Sequence, residues 1–139
     1  MAGSWSAYWY NGYIYSSEIS RGLDVLELQP SAMLTQNEID AAKTVKLASL
    51  NVQDQQPITW AASFAVARAY VDQLERSRGL TAARVSSVRA RLSNAERASD
   101  AARRSALNSL AGQLGRDAAT SADAPRVKAL QAVVTALAR

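Results

Sequence analysis

The first thirty residues carry the alternating apolar pattern of β-strands, and most later residues carry the three-to-four spacing of amphipathic helices. Asn11-Gly12 separates two alternating runs, and this pair favours a two-residue hairpin turn because both positions require positive φ. A second turn at residues 20–22 and an alternating run at 23–28, which stops before Pro30, predict a third strand. We therefore expect an N-terminal antiparallel β-meander with two unpaired edges.

Aromatic side chains fall on both faces of this predicted hairpin. The expected cross-strand pairs are Tyr10 with Tyr13, Tyr8 with Tyr15 and, on the opposite face, Trp9 with Ile14, with Trp5 and Ala7 in line. A hairpin that lies on a single core alternates apolar with polar residues. A ribbon that is apolar on both sides is therefore expected to be packed above and below.

Helix signals begin with Thr35 and Glu38, which form a capping-box pattern at the start of a first helix. The apolar positions of this helix are Ile39, Ala42 and Val45. The polar residues 51–57 follow and are typical of a linker.

Four further helices are expected after the linker, and each carries one apolar stripe that can pack in an antiparallel bundle. The first of them is expected to include Trp60 and to end near Gly79, and the third to stop at Gly115. The expected starts are Thr59, Thr81, Ser99 or Asp100, and Asp123 with Pro125 in the first turn. The predicted fold is mainly α, with a small N-terminal antiparallel β-meander and an α-helical bundle (α+β). Its parts are the meander at 1–30, a capped helix and polar linker at 31–57, and a four-helix bundle at 58–139.

Composition places the chain among globular proteins. Its 139 residues are 48% hydrophobic and 20% charged, and no stretch reaches the roughly 20 apolar residues that cross a bilayer. The N-terminal residues lack the basic and aliphatic regions of a signal peptide. We therefore expect a cytoplasmic protein, or one whose targeting sequence lies upstream of these residues.

The residue types that are missing exclude several chemistries. The chain has no His and no Cys, so a Ser-His-Asp triad, a thiolate nucleophile and the usual zinc ligands cannot be built. Asp24 and Glu27 lie an odd number of strand positions apart and so face opposite sides, and Glu38 belongs to the capping box. No calcium-loop, P-loop or dinucleotide-binding motif is present. We therefore expect a protein that is not an enzyme and that holds no cofactor and no metal.

The N-terminal segment resembles a known repeat. The run NGYIYSSEISRGLDVLEL is similar to the final repeat of bacterial LVIVD-repeat β-propeller proteins, in which an aromatic strand, a glycine turn and a G-L-x-V strand recur. The matching residues are Tyr13, Ile14, Tyr15, Gly22, Leu23, Val25 and Leu28. The resemblance implies a last blade packed between its neighbours, either as the C-terminal piece of a longer protein or as a remnant with a new partner surface.

The helical part is similar to the small FIMAH-type module found at the C-termini of bacterial surface proteins. The similarity lies in the spacing of Tyr70, Val71, Leu74, Leu80, Val88, Leu92, Ala95, Glu96, Ala106, Leu107 and Leu110. Both resemblances imply a secreted, multidomain parent and an extracellular or cell-surface location.

An arginine-rich region raises the question of an anionic partner. Eight arginines between Arg76 and Arg104 are accompanied by only two acidic residues, Glu96 and Asp100. Snorkelling charges on both flanks of the apolar stripes favour a solvated face, and the absence of aromatic residues after Tyr70 disfavours nucleic-acid binding. The candidate anion-binding residues are Arg84, Arg91, Arg103 and Arg104.

The aromatic ribbon is the better candidate for a functional surface. It is either blade core or a surface that docks a protein, because Trp and Tyr dominate interface hot spots. The candidate docking residues are Trp5, Tyr8, Trp9, Tyr10, Tyr13 and Tyr15. The sequence predicts a non-catalytic interaction or structural module that binds a protein partner or a second copy through this ribbon. The alternative is an oligomeric helical module that binds an anionic partner through its arginines.

Overall fold

The computed structural model describes residues 3–54 and 56–139. Met1, Ala2 and Gln55, which belong to the predicted segments 1–30 and 31–57, lie outside the described residues. The chain divides into two compact units, Met1–Ala61 and Ala62–Arg139. The first contains the strands and one helix, and the second contains four helices.

The predicted β-meander is confirmed. Three antiparallel strands, β1 (Ser4–Tyr10), β2 (Tyr13–Glu18) and β3 (Gly22–Leu26), lie in the order β1-β2-β3. Asn11 and Gly12 have φ angles of 52° and 103°, which is the left-handed backbone that a two-residue hairpin turn requires. β1 and β3 are therefore the edge strands of a small sheet.

The strand register follows the predicted pairing. The pairs are Tyr10 with Tyr13, Tyr8 with Tyr15 and Trp9 with Ile14 between β1 and β2, and Tyr15 with Val25, Ser17 with Leu23 and Ile14 with Leu26 between β2 and β3. The ladder is irregular between Ser4 and Ser6, and such a bulge breaks the alternation of side chains. The prediction that Trp5 continues the row of Ala7 and Trp9 assumes an alternation that this irregularity interrupts.

The predicted capping box is confirmed at the start of α1 (Gln36–Lys43). Thr35 Oγ1 accepts a hydrogen bond from Glu38 N at 3.2 Å, and Glu38 Oε2 accepts one from Thr35 N at 2.8 Å. These bonds satisfy backbone donors that the first turn of a helix leaves without partners. The predicted apolar positions are buried or half-buried, namely Ile39, Val45 and Ala42.

The second unit contains the predicted four helices. They are α2 (Phe64–Arg76), α3 (Ala82–Arg97), α4 (Asp100–Asp117) and α5 (Ala124–Leu137). The starts at Thr81 and Asp123 are confirmed, because each side chain accepts a hydrogen bond from a backbone N–H of the first helical turn. Ser99 precedes α4 as its N-cap residue.

The N-cap residue of α2 is Ser63, so the predicted start at Thr59 is wrong. Ser63 Oγ accepts a hydrogen bond from Val66 N at 3.2 Å. Trp60 precedes the helix and is 48% exposed. Both Thr and Ser are favourable N-cap residues, and the apolar spacing alone does not choose between two positions one helical turn apart.

The predicted helix stop at Gly115 is also wrong, since α4 continues to Asp117. A glycine ends a helix when it adopts the left-handed conformation, and Gly115 is not among the residues with positive φ. Gly115 instead lies against α5, where a Cβ atom on it would be 2.9 Å from Gln131 Nε2. The glycine therefore serves close helix packing.

Ion pairs near the helix ends show how the bundle is arranged. Arg68 near the start of α2 pairs with Glu96 near the end of α3 at 2.8 Å. Arg84 near the start of α3 pairs with Asp117 at the end of α4 at 2.7 Å. Consecutive helices therefore run antiparallel, and α2 and α4 each pack against both α3 and α5.

A hydrophobic core fills the bundle. Its buried members all lie between residues 67 and 138, and they include side chains from all four helices. They are Ala67, Val71, Leu74, Val85, Val88, Leu92, Ala95, Leu107, Leu110, Ala111, Leu114, Ala118, Val127, Leu130, Val134 and Ala138. The bundle thus buries its apolar stripes by itself, as the spacing predicts.

Gly112 and Gly115 offer a matched test of the α4 packing. A Cβ atom on Gly112 would meet nothing within 4 Å, whereas one on Gly115 would displace Gln131. We expect Gly112→Ala to raise the free energy of unfolding by about 0.5–1 kcal/mol, because alanine loses less backbone entropy in a helix than glycine. We expect Gly115→Ala to raise it less. Urea unfolding followed by far-ultraviolet circular dichroism measures both, and an equal or larger gain for Gly115→Ala would contradict the packing against Gln131.

Candidate functional site

Four of the six aromatic residues of the three strands lie on one face of the sheet. Paired residues in an antiparallel ladder point to the same face, so the register gathers six apolar side chains together with Ser6 and Ser17. We call this surface the tyrosine face, and its apolar members are Tyr8, Tyr10, Tyr13, Tyr15, Leu23 and Val25. Within β1, β2 and β3, no residue of this face carries a charge. The next residue in line with Val25 is Glu27, which follows β3 and is paired with Lys43 at 2.9 Å.

Much of the tyrosine face is open to solvent. The exposed fractions are 43% for Tyr8, 44% for Tyr13, 62% for Leu23 and 53% for Val25. The rings of Tyr10 and Tyr15 pack edge to face, with centroids 6.1 Å apart. Contiguous exposed apolar surface of this kind is typical of an interaction site, because soluble proteins otherwise bury it.

Neither tryptophan of the predicted docking set is paired with a tyrosine in the strand register. Trp9 is half-buried on the opposite face of the sheet, where its side chain is paired with Ile14. Its indole Nε1 is buried and has no acceptor among the described residues. Trp5 stands at the irregular end of β1 and is 78% exposed. The structure therefore gathers the four tyrosines on one face and places Trp9 on the other.

Leu23 and Val25 complete the tyrosine face, although the predicted docking set omits them. Val25 lies opposite Tyr15, and Leu23 lies opposite Ser17. The signal that could have identified them is the strand register, because a third strand that continues the meander places alternate residues in line with the tyrosines.

Hydrogen bonds hold the tip of the β1–β2 hairpin against the segment that follows α1. Tyr10 Oη donates towards Leu47 O at 3.0 Å and Ala48 O at 3.1 Å. Asn11 exchanges two hydrogen bonds with the Leu47 backbone, at 2.9 Å through Nδ2 and at 2.8 Å through Oδ1. Tyr10 is therefore held in place by its hydroxyl group while its ring contributes to the tyrosine face.

Glu18 holds the turn between β2 and β3 near the beginning of β1. Glu18 is 6% exposed. Its Oε1 accepts a hydrogen bond from Gly3 N at 2.9 Å, and its Oε2 accepts bonds from Ser20 N and Arg21 N, both at 2.7 Å. Because these donors favour the charged carboxylate, with the Gly3 N–H contributing most, they lower the pKa of Glu18 from its ordinary 4.5.

Of the four candidate anion-binding arginines, Arg103 and Arg104 line one pocket, and Arg84 lies apart from them. Arg84 donates to Asp117 Oδ2 at 2.7 Å, whereas Arg103 donates to backbone carbonyls at the end of α3, at 3.3 and 3.2 Å. Since consecutive helices are antiparallel, Arg84 and Arg103 lie at opposite ends of the bundle. Arg91 and Arg104 are exposed. Arg84 and Arg103 thus stabilise the contacts between helices.

Arg89 bonds to two carboxylates of α2. It donates to Asp72 Oδ1 and to Glu75 Oε2 on α2, both at 2.7 Å, and the Asp72 side chain is only 6% exposed. The hydrogen bond with Glu75 and then that with Asp72 raise the pKa of Arg89 above its ordinary value. This charge is therefore used to join α2 to α3.

The described residues hold neither a metal-binding cluster nor a membrane-spanning helix. No three side chains of ligand type come together there, and no helix has the length and hydropathy of a membrane span. Asp24 pairs with Arg21 at 2.7 Å, and Glu27 pairs with Lys43 at 2.9 Å. These two carboxylates are thus engaged in ion pairs.

Glu18→Gln tests the carboxylate that anchors the sheet. A carboxylate with a lowered folded-state pKa stabilises the fold above its unfolded pKa, and this contribution is lost as the pH falls through the folded-state pKa. We expect the wild type to be more stable than Glu18→Gln at neutral pH, with the difference shrinking as the pH falls below about 4.5. Urea unfolding followed by tryptophan fluorescence at a series of pH values measures it. Parallel pH profiles for the two proteins would contradict the role of the Glu18 charge.

Arg89→Gln and Arg91→Gln separate a structural arginine from a solvated one on the same helix. Loss of Arg89 removes a positive charge that compensates the negative charge of the buried Asp72 carboxylate. Because Arg89 is itself 40% exposed, we expect a cost of only about 1–2 kcal/mol in the free energy of unfolding. Arg91→Gln should stay within about 0.5 kcal/mol of the wild type. Urea unfolding followed by circular dichroism measures both variants. Equal losses of unfolding free energy would contradict a structural role that Arg89 has and Arg91 lacks.

Comparisons of the chain with protein-family models, with curated proteins and with solved structures found no match. The resemblances to an LVIVD-repeat blade and to a FIMAH-type module therefore stay predictions that rest on the residues named for them.

Proposed function

We propose that this chain is a non-catalytic protein–protein interaction module, which self-associates by docking its tyrosine face on the same face of a second copy. The observation that carries the proposal is the distribution of exposed apolar side chains. Every large hydrophobic side chain that is exposed among the described residues lies between Trp5 and Trp60, and none lies in the bundle. The part of the chain that needs a cover is therefore the Met1–Ala61 unit.

The chemistry of the tyrosine face favours a second copy as its occupant. A two-fold interface apposes the same patch of both copies, so a docking face with charges of one sign would repel itself. Within the three strands, the tyrosine face has no charged residue, whereas the opposite face carries Glu18 and Asp24. Tyrosine hydroxyls both donate and accept hydrogen bonds. Two identical tyrosine faces can therefore satisfy one another.

The same features argue against the other functions that the sequence raises. A catalytic site would need free titratable groups, and the chain lacks His and Cys, while Asp24 and Glu27 are held in ion pairs. An anionic partner would need convergent cations. Of the candidates, Arg103 and Arg104 line one pocket, but Asp100 shares it, and Arg103 is bonded to carbonyl groups at the end of α3. The neighbouring blade of a propeller would be a different cover for the same face, and it is an alternative outcome of the experiment below.

Val25→Lys and Leu26→Lys form a matched pair for this experiment. The two residues are neighbours on β3 with exposed fractions of 53% and 50%, but Val25 belongs to the tyrosine face and Leu26 to the opposite face. We expect sedimentation equilibrium to show a wild-type dimer. Val25→Lys should raise its dissociation constant at least about tenfold, because both lysines enter an uncharged apolar interface. Leu26→Lys should change it by less than about threefold.

Three results would overturn the proposal. A wild-type chain that stays monomeric at every concentration would exclude self-association and would leave a different polypeptide as the cover. A larger effect of Leu26→Lys than of Val25→Lys would assign docking to the opposite face. Equal effects of both substitutions would mean that docking does not select the tyrosine face.

A further inference from the structure

We infer that the Met1–Ala61 unit is folded only while its tyrosine face is covered by a second copy, whereas the bundle is folded at any concentration. This inference rests on the proposed function, since it concerns how the same surface is regulated. Docking and folding of the first unit would then be one coupled equilibrium. The consequence is a chain whose interaction surface exists only in the assembled state.

The first unit has very little core of its own. Among its described residues, only Ile39, Ala41 and Val45 are buried hydrophobic residues. Two of these lie in α1 and one directly after it, so no hydrophobic residue of the sheet itself is buried. A small sheet needs a packed apolar face for independent stability. The sheet therefore lacks the burial that would stabilise it without a partner.

The contacts that do hold the sheet are mainly polar. They are the hydrogen bonds of Glu18 and those that join Tyr10 and Asn11 to Leu47. The net stability from such bonds is limited, because water satisfies the same groups in the unfolded chain, although the bonds to the Glu18 carboxylate are stronger than those between neutral groups. They select one arrangement of the meander, and the free energy that maintains it must come from covering apolar surface.

The bundle differs because its four helices bury one another's apolar side chains. The residues of its core come from all four helices and are at most 8% exposed. No large hydrophobic side chain of the bundle is exposed among the described residues. Nothing in the bundle therefore depends on a second copy, and dilution should not unfold it.

The distribution of tryptophan allows the two units to be followed separately in the full-length chain. All three tryptophans, Trp5, Trp9 and Trp60, belong to the Met1–Ala61 unit. Helical circular dichroism comes mostly from the second unit, since α1 is the only α-helix described in the first. Trp9 is the informative probe because it is half-buried in the folded sheet. The variant Trp5→Phe/Trp60→Phe reports on Trp9 alone.

The experiment dilutes this Trp9-only variant through the dissociation constant found by sedimentation. We expect the fluorescence of Trp9 to move to the red and its quenching by acrylamide to increase, with a midpoint at that dissociation constant. Most of the helical circular dichroism should remain. With Val25→Lys added, the variant should show exposed Trp9 over the whole concentration range and keep the same helical signal.

The outcomes separate this inference from the function on which it rests. A dimer that dissociates while Trp9 keeps its protected fluorescence would overturn the coupled folding and leave self-association intact. Loss of the helical signal together with the Trp9 signal would also overturn it, because the bundle would then share the dependence. A chain that is monomeric at every concentration would overturn self-association and, with it, the coupling.

Discussion

A β-sheet in water is stable only when its apolar faces are covered, and this constraint governs the whole Met1–Ala61 unit. Tyr8, Tyr13 and Val25 share one face of three short strands and remain about half exposed. The hairpin turn at Asn11-Gly12 sets the register that brings them together. The turn thus determines where the uncovered surface lies, and the proposed self-association rests on that surface.

The bundle meets the same constraint within one polypeptide. Four amphipathic helices bury their stripes against one another, and short connections keep consecutive helices antiparallel. The arginines add to this arrangement at its ends and between its helices, as Arg84, Arg89 and Arg103 do. The excess positive charge of the region is therefore partly explained by helix packing.

Local signals in the sequence predicted much of the fold. The Asn11-Gly12 turn, the Thr35–Glu38 capping box and the N-caps Thr81 and Asp123 each act within a few residues, so the sequence pattern was sufficient to find them. The errors arose where competing local signals lie close together or where a residue serves a distant contact. Thr59 and Ser63 are both good caps, and Gly115 packs against Gln131 on another helix.

The candidate site could be predicted only in part, because only some of its residues are placed by local signals. The pairing of Tyr8 with Tyr15 follows from the turn, whereas the place of Trp5 depends on a bulge that alternation does not reveal. The sequence by itself determined the elements, the four tyrosines and the chemistries that a chain without His and Cys cannot perform. Only the tertiary structure decided which faces are buried, which arginines are paired and which unit lacks a core. Burial and ion pairing depend on contacts between residues that are far apart in the chain, and a local sequence pattern does not show which distant residues come into contact.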